Sequence, residues 1–254
     1  MDVRNHNRRA WNRLAVQGCR WSVPVSDEDI QEARAGRWEV ILTPIRPVPR
    51  SWLGKLEGRQ VLCLASAGGQ QAPVLAAAGA RVVSFDLSEE QLTRDQEVAR
   101  RHGLPVECIQ GDMTDLSALA NRHFDLVFNP VSTVFVPDVA RVWREAFRVL
   151  KPGGALLSGF MNPSFYLFDH DAEDGTLTVR YRLPYAETDP DTLPPQRRKA
   201  VEEGDPLEFS HTLDALIRGQ LEAGFVITGL YEDWWEDDTT TADGFSPTFI
   251  ATAG

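Results

Sequence analysis

Two acidic residues and one turn of small residues have the types and the spacing expected of a ligand-binding site. No side chain in the turn at residues 65–69 is larger than serine, so a ligand could approach its backbone closely. Asp86 follows about 20 residues later, where a carboxylate can accept both hydroxyls of a ribose. Asp112 follows the next predicted strand, residues 105–110, and its acceptor-only carboxylate suits an exocyclic amine. Together they predict a nucleotide-type cofactor site.

The elements that must position these residues are a strand, a tight turn, a helix and a second strand. Residues 61–64 form a short apolar run, as expected of a strand buried on both faces. Residues 70–78 predict a helix, with Pro73 in its first turn and Gly79 as its stop. Residues 81–86 predict the second strand, which places Asp86 at its carboxyl end.

Two motifs connect the chain to a known family. Residues 61–69 read V-L-C-L-A-S-A-G-G, and residues 150–154 read L-K-P-G-G before an apolar strand. With these motifs, residues 56–254 resemble a class I S-adenosylmethionine-dependent methyltransferase of the small-molecule type, with a methyltransferase domain of the 11/25 kind. The family's first motif is roughly V-L-D-L-G-C-G-x-G, and four positions match it: Val61, Leu62, Leu64 and Gly69. Four depart from it: Cys63 for Asp, Ala65 and Ala67 for Gly, and Ser66 for Cys.

The departures bear on whether the turn can still hold a cofactor. Alanine can serve in a tight turn if its φ angle is negative, so we expect binding to be weakened rather than excluded. A cofactor-binding protein without catalysis is therefore one alternative. An NAD(P)-dependent oxidoreductase is another, but residues 65–70 lack three glycines of the G-x-G-x-x-G fingerprint.

The resemblance implies S-adenosyl-L-methionine as cofactor, S-adenosyl-L-homocysteine as product, and methyl transfer to an O, N or C nucleophile of a small molecule. It implies that the cofactor-binding residues are Ala65, Ser66, Ala67 and Gly69 in the turn, Asp86 and Leu87 at the ribose, Asp112 and Met113 at the adenine, Asn129 on the sulfonium side, and Trp11 with Asn12 at the methionine end. For Asp112 a helix N-cap before Leu116, and for Asn129 a strand-ending turn, are the structural alternatives. We assign no catalytic base and no metal ligand.

The predicted fold class is α/β, with a doubly wound Rossmann-like sheet. The resemblance implies seven strands with the last antiparallel. Residues 1–55 are expected to form an N-terminal helical lid or an extra helical layer, and residues 56–254 the methyltransferase domain. Residues 161–210 are expected to form an insertion after strand 5 on the substrate side.

Several local patterns complete this expectation. The strongest helical periodicity lies at residues 137–149, and its apolar stripe includes Phe147. Alternation at residues 176–185 predicts a half-exposed antiparallel strand. Tyr166 and His211 flank the insertion, and structural roles are favoured over catalytic ones for both.

Composition limits the class of partner. The net charge is −11, without the basic footprint of a nucleic-acid binder, so a small-molecule acceptor is expected. The three cysteines show neither disulfide nor metal spacing, which favours a reducing cytoplasm. No signal-peptide core or membrane span is apparent. The oligomeric state stays open, a homodimer included.

Overall fold

A computed structural model of the chain describes residues 2–168, 176–188, 193–235 and 247–254. These residues form a seven-stranded mixed sheet in the order β3-β2-β1-β4-β5-β7-β6, in which β7 runs antiparallel to both neighbours. The strands are β1 Gln60–Leu64, β2 Arg81–Asp86, β3 Val106–Gln110, β4 Phe124–Asn129, β5 Leu150–Met161, β6 Gly229–Asp233 and β7 Phe249–Ala253. The predicted fold class is confirmed.

Helices cover both faces of the sheet and one end of it. They are α1 Val3–Val16, α2 Asp27–Arg34, α3 Arg50–Leu53, α4 Gln71–Ala77, α5 Glu89–His102, α6 Val139–Val149, α7 Pro195–Glu202 and α8 Gly219–Ala223. Three-residue or five-residue 3₁₀ turns lie at Arg20–Ser22, Thr133–Phe135 and Pro163–Leu167. A short π-helix, Asp214–Arg218, directly precedes α8.

Side chains of β1 alternate between two hydrophobic cores, one on each face. Val61 and Cys63 pack with the residues of α4 and with Leu53. Leu62 and Leu64 pack in the opposite core, which contains most of the buried stripe of α6. All four side chains are fully buried, which explains why the run is continuously apolar rather than alternating.

Helix α6 confirms the strongest periodicity in the sequence with one exception. Val139, Val142, Trp143, Ala146 and Val149 are buried on one face. Phe147 was expected on that face but is 46% exposed, and its ring packs edge-on against Phe225. Ala146 and Phe147 are consecutive residues, so their side chains point in different directions from the helix axis. Because Ala146 faces the core, Phe147 lies at the edge of the core.

Strand β5 begins before the apolar run that follows the L-K-P-G-G motif, since residues 151–154 belong to it, and it pairs with β4 through a register shift near Phe124. The prediction of an antiparallel strand at residues 176–185 is wrong. Among the described residues this segment forms an isolated bridge between Val179 and Phe168, because no continuous partner runs beside it. Part of the predicted insertion at 161–210 lies outside the described residues.

The N-terminal helix lies across the end of the sheet where the strands β1 to β4 finish. Asn7 is buried there, and its amide donates to the carbonyl oxygens of Phe135 at 2.9 Å and Leu207 at 3.1 Å. Its side-chain oxygen accepts the backbone N–H of Leu207 at 2.7 Å. Helix α1 is thereby joined to the segment after β4 and to the region before α8. The boundary between residues 1–55 and 56–254 stays a prediction.

Across the described ranges, every helix is too short or too polar to cross a membrane.

Candidate active site

A cavity of about 680 Å³ opens at the carboxyl ends of β1, β2, β3 and β4, beneath α1. Parallel sheets bind ligands at this edge, where the connecting loops diverge. The predicted site residues that line it are Trp11, Ala65, Ser66, Ala67, Asp86, Leu87, Asp112 and Met113. Gly69 and Asn129 are not among the lining residues. The structure therefore brings eight predicted residues to one cavity, because β1, β2 and β3 end side by side and α1 lies over them.

The turn after β1 has an unexpected backbone conformation. Ala65 has φ +48° and Ala67 has φ +68°, both in the left-handed region that favours glycine. The expectation that alanine would serve here with a negative φ is wrong. The turn keeps the glycine conformation of the family motif although both side chains are alanine. Each alanine costs roughly 1–2 kcal/mol relative to a right-handed backbone.

Gly69 supports this turn from behind rather than touching the cavity. Its φ is +74°, and a Cβ atom there would lie 2.8 Å from Cβ of Pro24. The backbone N–H of Gly69 donates to Oδ1 of Asp95 at 2.7 Å. Gly69 is thus a structural glycine of the turn, and its predicted contact with the cofactor is not seen as a lining contact.

Asp95 is a residue that the sequence analysis missed. It lies on α5 with 1% of its surface exposed, and Ser84 donates to its Oδ2 at 2.6 Å. Burial raises the pKa of Asp95 to about 7, although the hydrogen bonds from Ser84 and Gly69 oppose the shift. The helical spacing could have identified Asp95 as buried, because it lies three residues after Leu92 and three before Val98, on the buried face of the helix.

Asp86 ends β2 and faces the cavity. Its Oδ1 accepts the backbone N–H of Ser88 at 2.8 Å. Burial raises the pKa of Asp86 to about 6, although the backbone N–H groups of Ser88 and Leu87 favour the ionised form. A carboxylate that receives few hydrogen bonds from the protein can accept hydrogen bonds from a pair of ligand hydroxyls.

Asp112 follows β3 and is half-buried in the cavity wall. Its Oδ1 accepts the backbone N–H and the hydroxyl of Thr114, each at 2.8 Å. Its Oδ2 lies 3.8 Å from Nε of Arg4 on α1. No helix begins at Leu116 in the described chain, so the N-cap alternative is wrong in that form, although Asp112 does close a turn.

Asn129 is fully buried at the end of β4 and does not line the cavity. Its amide donates to the carbonyl oxygen of Leu64 and to the hydroxyl of Ser132, each at 2.8 Å. Its oxygen lies 3.3 Å from the hydroxyl of Ser158 on β5. Asn129 therefore ties three strands together, and its neighbours Pro130 and Ser132 form the cavity surface on the side predicted for the sulfonium.

Trp11 and Asn12 on α1, which were both predicted to contact the cofactor, make different contacts in the structure. Trp11 lines the cavity and packs edge-on against Phe135, with ring centroids 5.0 Å apart. Asn12 does not line the cavity, which corrects its expected contact. Its oxygen accepts the hydroxyl of Ser88 at 2.6 Å and its amide donates to Glu89 at 2.8 Å. Asn12 thus fastens α1 to the first turn of α5, beside Asp86.

Two unpartnered polar atoms test whether this wall fits a nucleotide-type cofactor. Within the described part of the chain, the hydroxyl oxygen of Ser66 and the amide oxygen of Gln91 are buried without a hydrogen-bond partner of normal geometry, and both residues line the cavity. Buried polar groups are almost always paired, so unpaired atoms in the wall of a cavity are what a binding site for a polar ligand would show. Together with Asp86, they give this cavity a carboxylate, a hydroxyl and an amide oxygen. The residues present fit the cofactor.

The predicted titratable candidates lie on the far side of the cavity. Nε2 of His211 donates to the carbonyl oxygen of Thr133 at 3.0 Å, and His211 does not line the cavity. The hydroxyl of Tyr166 donates to Oε2 of Glu208 at 2.6 Å. Glu208, which lines the cavity, was missed by the sequence analysis because nothing around it in the sequence marks it. The structural roles favoured for Tyr166 and His211 agree with these contacts.

Comparisons with known proteins agree with this geometry. A family model described as a methyltransferase domain matches residues 62–158. The chain is 46% identical over 230 residues to the uncharacterized methyltransferase YbaJ of Bacillus subtilis, covering 90% of this chain and 89% of that protein. This chain is a class I S-adenosylmethionine-dependent methyltransferase. The family model begins at Leu62 and ends at Ser158, so it spans β1 to β5.

Two further similarities place the methyltransferase among its relatives. It is 31% identical over 172 residues to the ubiquinone biosynthesis O-methyltransferase of Bordetella pertussis, covering 61% of this chain and 70% of that one. Its fold matches an S-adenosylmethionine-dependent methyltransferase of Mesorhizobium loti with a TM-score of 0.60, 22% identity, and coverage of 80% and 94% of the two chains. This assignment replaces the two alternatives, an NAD(P)-dependent oxidoreductase and a cofactor-binding protein without catalysis.

Proposed function

We propose that this methyltransferase binds S-adenosylmethionine in the cavity at the ends of β1 to β4. In the proposal Asp86 accepts the ribose hydroxyls, the turn at residues 65–67 holds the methionine end, and Asp112 with Met113 holds the adenine. The observation that carries it is the convergence of these groups with the unpartnered Ser66 and Gln91 on one cavity wall. When bound, the cofactor supplies an electrophilic methyl group.

We propose further that the acceptor is a small molecule with an O, N or C nucleophile, and not a nucleic acid. The net charge of −11 opposes contact with phosphates. The cavity lies under α1, which Asn7 and Asn12 fix to the rest of the chain, and an enclosed site suits a small ligand. An oxygen acceptor gains support from the relative in Bordetella pertussis, which is named as an O-methyltransferase.

The residues of the chain then have to orient two ligands and exclude water. Trp11 and Phe135 form an aromatic wall between α1 and the segment after β4. Holding the acceptor and the methyl donor in line can supply most of the acceleration of such a transfer. Helix α1, which Asn7 and Asn12 hold over the cavity, would keep water from the path of the transfer.

The test is calorimetric titration with S-adenosylhomocysteine on the wild type, on Asp86→Ala, and on the surface control Asp214→Ala. We expect micromolar-range binding that Asp86→Ala weakens by about 1–3 kcal/mol, because ribose hydroxyls lose their acceptor. The control should bind as the wild type does, because Asp214 pairs with Arg218 on the exposed face of the π-helix. A wild type that does not bind the product would overturn the proposal.

A further inference from the structure

Glu208 is a carboxylate on the cavity wall, and no cation among the described residues forms an ion pair with it. It lies half-buried and lines the cavity. Its Oε2 accepts the hydroxyl of Tyr166 at 2.6 Å. Within the described chain, Oε1 has no hydrogen-bond or ion-pair partner. One oxygen of Glu208 is therefore committed to the protein, and the other is available to a ligand.

The backbone on both sides of Glu208 is fixed, so the carboxylate is held in place. The N–H of Glu208 donates to Oε2 of Glu187 at 2.8 Å. The N–H of Leu207 donates to Asn7 on α1 at 2.7 Å. The N–H of Phe209 donates to the carbonyl oxygen of Val134 at 2.7 Å. This segment is thus anchored to the insertion, to the helix above the cavity and to the turn after β4.

Arg197, the cation whose charge acts on Glu208, is ion-paired with two other carboxylates. Arg197 forms a two-pronged ion pair with Glu187, with Nε–Oε1 at 2.6 Å and a second bond to Oε2 at 2.7 Å. Arg197 also lies 3.6 Å from Asp205. Glu187 is 1% exposed, so this pair is internal and its charges largely cancel. Arg197 forms no ion pair with Glu208 among the described residues, although its charge acts on that carboxylate.

The cavity that Glu208 lines also has many apolar and aromatic side chains in its wall. They include Val134, Phe135, Met161, Phe165, Trp235 and Phe249. Two polar side chains that also line the cavity are already bonded within the protein, Asn7 to Phe135 and Leu207, and Thr43 to Tyr231 at 3.5 Å. A carboxylate in such surroundings accepts a hydrogen bond from a ligand donor and repels an anion.

We propose that Glu208 binds the acceptor and takes its proton, and that the acceptor is an uncharged, largely aromatic molecule carrying one O–H or N–H donor. This inference rests on the proposed function. The acceptor's lone pair forms the new bond to the methyl carbon. The carbon–sulfur bond breaks with its electron pair staying on sulfur, and the acceptor's proton moves to Oε1 of Glu208. Glu208 later releases the proton to solvent.

The electrostatic surroundings suit this role. Burial raises the pKa of Glu208, although the charge of Arg197 and the hydrogen bond from Tyr166 oppose the shift, and Glu187 and Asp205 add to it. A carboxylate with a raised pKa is a better base near neutral pH than one at its ordinary value. Tyr166, whose ring stacks on Tyr185 at 5.3 Å, is a positioning residue that orients the carboxylate.

The experiment uses p-cresol and 4-methylanisole, which differ in that the second has no O–H. Binding of each is measured by ligand-observed NMR to the complex with S-adenosylhomocysteine, for the wild type, Glu208→Gln and the exposed control Glu202→Gln. We expect the wild type and the control to prefer p-cresol by at least about tenfold. We expect Glu208→Gln to lose most of this preference. In the wild type the preference should also fall at low pH, as Glu208 takes up a proton.

The outcomes separate the two proposals. If S-adenosylhomocysteine does not bind the wild type, the proposed function fails. S-adenosylhomocysteine that binds the wild type and Glu208→Gln alike would leave the proposed function intact. The role of Glu208 would then be overturned by either of two results: p-cresol is not bound or not preferred by the wild type, or the preference survives in Glu208→Gln. Tyr166→Phe is a second variant, for which we expect a smaller loss of preference and a shifted pH midpoint. An unchanged midpoint would count against its positioning role.

Discussion

The carboxylate of Asp95 on α5 accepts the backbone N–H of Gly69 at 2.7 Å, which joins the helix after β2 to the turn after β1. Its other oxygen accepts the hydroxyl of Ser84 at 2.6 Å. The turn that faces the cofactor cavity is therefore held from behind by a buried acidic residue. Both the shape of the turn and its dependence on pH follow from this contact.

We predict that the stability of the ligand-free protein falls as the pH rises from about 5 to about 8. The pKa of Asp95 is raised from 3.8 to about 7, so its contribution is fully present below about pH 4 and is lost as the pH passes about 7. Urea unfolding should show a fall on the order of 1–3 kcal/mol, to which Asp86 also contributes. Asp95→Asn should show a smaller fall, whereas the exposed control Asp214→Asn should match the wild type. Equal pH dependence in Asp95→Asn would refute the assignment.

We predict that the affinity for S-adenosylhomocysteine rises with pH. The pKa of Asp86 is about 6 in the free protein, and the ionised carboxylate is the form that accepts two hydroxyls. Calorimetry below about pH 6 should show affinity falling by up to roughly tenfold per pH unit. Asp86→Asn should be weaker at neutral pH and nearly independent of pH over this range. A wild type with flat affinity would mean that Asp86 does not contact the ligand.

We predict that Ala67→Gly stabilises the protein. Ala67 has φ +68°, and glycine removes the cost of that conformation while adding freedom to the unfolded chain. The net gain should be about 0.5–1 kcal/mol in urea unfolding. Ala200→Gly inside α7 is the matched control and should instead destabilise by up to about 1 kcal/mol. Loss of stability in both variants would contradict the backbone assignment.

We predict that Asn7→Ala destabilises the protein by about 2–4 kcal/mol, since it leaves buried backbone groups of Leu207 and Phe135 without partners. Asn5→Ala on the exposed side of the same helix is the control and should cost less than about 1 kcal/mol. Hydrogen exchange should show faster opening of α1 in Asn7→Ala alone. Equal effects of the two variants would mean that α1 does not depend on this contact.

The parts of the site that could be predicted from the sequence all depend on the period and ends of parallel strands. Asp86 ends β2 and Asp112 follows β3, and neighbouring parallel strands must bring their carboxyl ends to one edge. The alternation of Val61 and Leu62 between two cores follows from the same period of two. These are local patterns, so the chain itself displays them.

The tertiary structure decided the rest, because those features depend on contacts between distant residues. Tyr166 meets Glu208 across 42 positions, and Asn7 meets Leu207 across 200. No periodicity records such a meeting. The positive φ angles of Ala65 and Ala67 are likewise imposed by the turn that links β1 to α4, against the preference of alanine itself. The sequence by itself determined the sheet and the edge at which a cofactor would bind, since both follow from local hydrophobic pattern. Folding alone decided which carboxylates line the cavity, since burial and the pairing of charges exist only after distant segments have packed.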